Sequence, residues 1–123
     1  MNAITGIGTV AIPVTDQDRA LDFYVGTLGF DKHLDAPLPQ LGGRWIVVAP
    51  PGSTTSLALV PATPEDPAGG DTGIRFTTSD AAAAHQGLTA AGVATDDLIS
   101  WPGVPPMFTF RDPDANTLYL VEQ

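Results

Sequence analysis

The sequence contains no cysteine, which excludes a disulfide framework, a thiolate nucleophile and any cysteine-built zinc site. It has only two histidines, His33 and His85, so a histidine-rich metal site is nearly excluded by inventory. Cations are scarce: 5 basic residues stand against 14 acidic ones, a net charge of −9. Such a surface repels phosphate backbones, and nucleic acid is not expected as a partner. The acidity serves solubility or attracts a cationic ligand, and composition leaves both open. No stretch approaches the roughly 20 apolar residues that span a bilayer. Residues 1–8 also lack a basic segment followed by an apolar run. No membrane partner is expected, and the cytoplasm is the expected location.

What is present is enough for one domain with a core: 123 residues, 43% of them apolar. Residues 8–15 alternate, with Val10, Ile12 and Val14 on one face, the period of a half-buried strand. Asp16 stands where a helix N-cap belongs. Ala20, Leu21, Tyr24, Val25 and Leu28 then form a stripe at helical spacing, and Gly29 ends it. Residues 30–34 read as a short strand, 37–43 as a loop, and 44–49 and 55–60 as strands around the turn Pro50-Pro51-Gly52. Residues 63–70 read as a linker.

The pattern then starts again. Ile74 and Phe76 mark a strand over 73–78, Asp80 or Ser79 caps a helix over 81–91, and Gly92 stops it. A weak strand over 93–97 and strands over 107–111 and 117–122 follow. Asp16 answers Asp80, and Leu28-Gly29-Phe30 answers Ala91-Gly92-Val93, an internal repeat that fixes architecture better than any one segment. The expected fold is α+β: one domain over 1–123, made of βαβββ modules at 1–62 and 71–123. Each sheet has a helix on one side, and the helix-free sides are expected to form a small-molecule cleft.

Three stretches carry a family resemblance: 14–24, opening Val14-Thr15-Asp16, with Leu28-Gly29-Phe30 after it; Gly73-Ile74-Arg75-Phe76 with Ala91-Gly92-Val93; and Arg111-Asp112-Pro113-Asp114-Ala115-Asn116-Thr117-Leu118-Tyr119-Leu120. In order and spacing they resemble the vicinal-oxygen-chelate (glyoxalase/bleomycin-resistance) superfamily. The resemblance implies the same two-module fold and a homodimer. That family usually has glycine where Ala115 stands, and the turn is expected to relax out of positive φ.

The resemblance also implies four metal seats, at Thr9, Ser56, Gly73 and Tyr119. Two hydroxyls, a bare backbone and a phenol cannot repay the dehydration of a divalent ion, so no metal and no cofactor is expected. Strand parity then lines the cleft with Thr9, Ala11, Arg44, Ile46, Ser56, Arg75, Thr77, Met107, Thr109 and Tyr119. Trp45 shares the parity of Val47 and is read as core. Arg44 and Arg75 either grip a carboxylate, phosphate or oxygen-rich ligand or pair with acids such as Asp71. Tyr119, the candidate catalytic residue, is either a hydrogen-bond donor and general acid or structural. Trp101, in the stiff loop Trp101-Pro102-Gly103-Val104-Pro105-Pro106, is either a lid over a flat ligand or a core plug.

No nucleophile, base and orienting group can be assembled from these residues. The expected function is metal-free binding or sequestration of an organic ligand, as in bleomycin resistance. The alternative is a glyoxalase-like lyase or isomerase, metal-independent or, less favoured, metal-dependent.

Overall fold

The computed structural model describes residues 2–123. The elements run β1 (Thr9–Val14), α1 (Gln17–Leu21) with a wider helical continuation at Asp22–Thr27, β2 (Asp31–Leu38), a 3-10 turn at Pro39–Leu41, β3 (Gly43–Ala49) and β4 (Ser56–Pro61). After them come β5 (Asp71–Thr78), α2 (Ala81–Ala90), β6 (Ala94–Thr95), β7 (Met107–Arg111) and β8 (Thr117–Glu122). The fold is α+β with two four-stranded sheets, ordered β1-β4-β3-β2 and β5-β8-β7-β6. In each, the first strand pairs with the last in parallel and the others pair antiparallel. The chain divides into two compact units between Ala68 and Gly69. Among the described residues no helix is long and apolar enough to cross a membrane.

In the first unit Asp16 caps α1, its Oδ1 accepting from the Arg19 N–H at 3.0 Å. The helix does not keep the expected regular stripe. It widens, so that the Leu28 N–H reaches back five residues to the Phe23 carbonyl at 2.9 Å. The wider turn lets two successive residues face inward. Phe23 and Tyr24 are both buried and meet edge to face at 5.1 Å. They pack on Ile12, Val14, Ile46, Val48, Leu57 and Leu59, all buried.

That core corrects the expected facing of β3. β1 lies beside β4 with Val10 opposite Leu57 and Ile12 opposite Leu59, and Val48 of β3 lies opposite Leu57. Arg44, Ile46 and Val48 therefore share the helix side, and Trp45 and Val47 lie on the helix-free side. The run Trp45-Ile46-Val47-Val48-Ala49 is apolar throughout, so its alternation carries no parity signal. Strand β2 is also longer than expected and reaches Leu38, because 31–38 pair along the whole of β3 with a slip at His33.

In the second unit Asp80 caps α2 through the Ala83 N–H at 3.0 Å. Ala81, Phe108, Phe110 and Leu118 are buried, and the His85 ring stands edge-on to Phe108 at 4.9 Å. The weak strand expected over 93–97 shrinks to the two residues of β6. The turn between β7 and β8 does not relax. Ala115 keeps a φ of 61°, held by a buried pair: the Asp112 carboxylate accepts from the Asp114 and Asn116 N–H groups and from the Asn116 side-chain amide.

Candidate functional site

On the helix-free side of the first sheet, Thr9 and Ser56 are register partners with their hydroxyls 2.9 Å apart. Beside them the surface is apolar apart from Asp31, which lies opposite Ala49 on the same face. Ala36 lies opposite Trp45 and Leu34 opposite Val47, and Val47 lies opposite Ala58. Trp45 and Val47 are half-buried, while Leu34 and Ala11 are exposed. Trp45 is the residue that reading the sequence missed, and only the strand register could have found it.

Arg44 leaves this surface altogether. Its Nε and Nη2 donate to Asp35 at 3.0 and 3.1 Å, and its Nη1 donates to Asp18 of α1 at 2.8 Å. Of the alternatives left open for Arg44, pairing with acids is what the structure contains. The hydrogen bonds from Arg44 hold the Asp35 carboxyl below its ordinary value against a smaller desolvation effect, and the guanidinium is raised in turn by Asp35 and Asp18.

On the helix-free side of the second sheet, Arg75 and Tyr119 are register neighbours, with the guanidinium carbon 4.2 Å above the ring centre. Arg75 Nη1 donates to the Gly73 carbonyl at 2.8 Å. The Tyr119 hydroxyl donates to Asp71 Oδ2 at 2.7 Å, and the Gly73 N–H donates to Asp71 Oδ1 at 3.0 Å. The bond from Tyr119 is the main cause that lowers the Asp71 carboxyl, and the bond to Asp71 is the main cause that raises the phenol. Both directions leave the shared proton on Tyr119.

Met107 and Thr109 lie on the same face, opposite Val121 and Tyr119. Thr109 donates a short hydrogen bond to Asp96, which also pairs with Arg111 at 2.9 Å. Those two bonds, Thr109 first, lower the Asp96 carboxyl. Residues 99–107 form a hairpin closed by reciprocal Ile99–Met107 backbone bonds. Its tip is a type II turn, with the Val104 N–H on the Trp101 carbonyl at 3.1 Å and Gly103 at φ 78°. Trp101 is 64% exposed there, so it plugs no core.

The four seats implied by the resemblance do not fit a divalent ion. Thr9 and Ser56 offer hydroxyls bonded to each other, Gly73 offers no side chain, and the Tyr119 proton is engaged by Asp71. Among the described residues no three His, Cys, Asp or Glu side chains gather as a metal site.

Residues 6–120 match the sequence model of the Glyoxalase/Bleomycin resistance protein/Dioxygenase superfamily. Solved structures agree over nearly the full length. The chain is 39% identical to TnmS3, an antibiotic binding protein from Streptomyces sp. CB03234, with a TM-score of 0.87 and 98% and 97% of the two chains covered. It is 38% identical to a member of the same superfamily from Sphaerobacter thermophilus DSM 20745, with a TM-score of 0.89 and 98% of each chain covered. Among curated relatives it is 42% identical over 59 residues to the uncharacterized protein YetH of Bacillus subtilis (strain 168), covering 47% of this chain and 48% of that one. A match in Shewanella frigidimarina (strain NCIMB 400), 48% identical over 44 residues, covers 36% of this chain and 33% of that one. The matches thus span half or less of the curated relatives' length.

Proposed function

Because the chain belongs to the Glyoxalase/Bleomycin resistance protein/Dioxygenase superfamily, we propose that it binds and sequesters a small organic molecule of the antibiotic kind without a metal. The observation that carries this reading is the full-length likeness to an antibiotic binding protein. The geometry supports it. The helix-free sheet faces offer a hydroxyl pair at Thr9 and Ser56, a guanidinium and phenol at Arg75 and Tyr119, and Met107 and Thr109 beside them. Trp101 adds an exposed aromatic edge. Arg44, spent on Asp18 and Asp35, is left out. A lyase or isomerase would need Tyr119 to release a proton that its hydrogen bond to the Asp71 carboxylate keeps on the phenol, which favours binding over turnover. The acting species in this reading is a cytoplasmic homodimer.

The test is a thermal-shift and calorimetric screen of chelator-treated protein against cationic and aromatic antibiotics. At least one class is expected to raise the melting temperature by several degrees, as a ligand at about 100 times its Kd should. Arg75→Ala is expected to weaken that binding. No stabilisation by any class, or binding that returns only with added zinc or manganese, would overturn the proposal.

A further inference from the structure

Of the chain's cations, Arg44, Lys32 and Arg111 each sit on a carboxylate, at 2.8, 3.7 and 2.9 Å. Arg75 makes no such pair among the described residues, in a chain with 14 acidic side chains. Asp71, the acid expected to take it, is spent elsewhere. Its Oδ2 accepts from the Tyr119 hydroxyl at 2.7 Å and its Oδ1 from the Gly73 N–H at 3.0 Å. Those bonds fix the two groups that in turn hold Arg75. The Gly73 carbonyl takes Nη1 at 2.8 Å, and the Tyr119 ring centre lies 4.2 Å beneath the guanidinium carbon. The guanidinium is thus gripped at one corner and on one face, while its Nε–Nη2 edge meets no acceptor among the described residues. That is the edge with which Arg44 forks Asp35, at 3.0 and 3.1 Å.

We infer that the Nε–Nη2 edge of Arg75 is the seat of a ligand carboxylate carried on an apolar body. The inference rests on the binding reading above and names one group of that ligand. Planarity follows from the fork, whose two N–H bonds lie in one plane and match two coplanar oxygens. A single charge follows from the neighbours. A second negative charge would face the Asp71 carboxylate, and Arg111 on this sheet is already held by Asp96. The apolar body follows from the register. Val121 stands two residues along β8 from Tyr119 on the same face, with Met107 opposite it in β7, both half-buried. At the rise of a strand that pair begins about 7 Å from the Tyr119 position, within reach of a fused-ring body attached to the carboxylate.

The experiment is equilibrium dialysis of the full chain with 2-naphthoate as the probe. The controls are 2-naphthamide, equally flat but neutral, and 2-naphthyl phosphate, which carries close to two charges at about pH 8. The carboxylate is expected to bind at least about tenfold tighter than either control. Arg75→Ala should weaken 2-naphthoate about tenfold, and Arg75→Lys nearly as much, since lysine keeps the charge without the fork. Arg75 is exposed, so both variants are expected to fold, and unchanged melting curves check that. No binding of 2-naphthoate, equal binding of 2-naphthamide, tighter binding of the phosphate, or wild-type affinity in both Arg75 variants would overturn the inference. If the antibiotic screen succeeds while these tests fail, the carboxylate seat falls and the binding reading stands. If 2-naphthoate binds through Arg75 while no antibiotic binds, the seat stands and the antibiotic reading falls.

Discussion

Arg44 and Asp35 are joined as a fork on a carboxylate, Nε to Oδ1 at 3.0 Å and Nη2 to Oδ2 at 3.1 Å, with Asp18 on the remaining edge. The arrangement ties α1 to the β2–β3 hairpin. Arg44→Met is expected to lower the melting temperature at pH 7, and Arg44→Lys to lower it less, since lysine keeps the charge and loses the fork. Because the Asp35 carboxyl is held below its ordinary value, its contribution is complete above the ordinary carboxylate range and is lost as the pH falls through the depressed value. The stability gap between wild type and Arg44→Met should therefore narrow on acidification below about pH 4. A gap independent of pH would contradict the assignment.

Gln17 is a second tie between the same elements. Its amide nitrogen donates to the Arg44 and Leu59 carbonyls at 2.6 and 2.8 Å, and its oxygen accepts from the Arg44 N–H at 3.0 Å. Gln17→Ala leaves three backbone groups without this partner and should cost on the order of 1–3 kcal/mol in chemical denaturation. Gly43→Ala would put a Cβ 2.7 Å from the Gln17 Oε1 and 3.0 Å from the Pro61 Cγ, displacing the clasp. The double variant is then expected to be little worse than the worse single one. Full additivity would show that the two positions act separately.

Ala115 at φ 61° sits in a region that glycine occupies freely. Ala115→Gly should gain about 1 kcal/mol in urea unfolding, and Ala115→Val should lose more than that. A neutral glycine variant would mean that the unfolded chain's added freedom cancels the relief.

Asn116 is buried and joins two segments. Its Oδ1 accepts from the Gly69 N–H at 2.7 Å, and its Nδ2 donates to Asp112 at 2.9 Å. Asn116→Ala should cost on the order of 1–3 kcal/mol, because it strips a bond from the Asp112 carboxylate and another from the Gly69 N–H. An effect within the error of the melting curve would sink that account.

The βαβββ repeat was legible because its signals are local: Asp16 and Asp80 cap helices, and β1 and β5 alternate cleanly. The site was legible in part. Thr9, Ser56, Arg75 and Tyr119 follow from alternating strands, and they share the faces expected for them. Arg44 and Trp45 exchanged faces because β3 is apolar on both sides, so burial alone could not say which residue met the helix. The widened turn at Asp22–Thr27 was invisible for a related reason: Phe23, Tyr24 and Val25 are apolar in sequence and fit more than one helical pitch. The Ala115 turn was misjudged because the buried pair that flanks it, Asp112 with Asn116, overrides the residue's own preference.

The parallel pairing of first strand with last has a consequence for how the chain comes to be folded. Thr9 must find Ser56 across 47 positions, and Asp71 must find Tyr119 across 48. Each half faces a similar entropic cost of closure, and no strand waits on the other half to complete its ladder. During translation the first sheet has all its strands outside the ribosome once Pro61 has emerged, while β5, ten residues further on, is still inside the exit tunnel. Its apolar surface around Trp45 is then already assembled and wet, so growing chains are most prone to stick to one another in the interval between the two sheets.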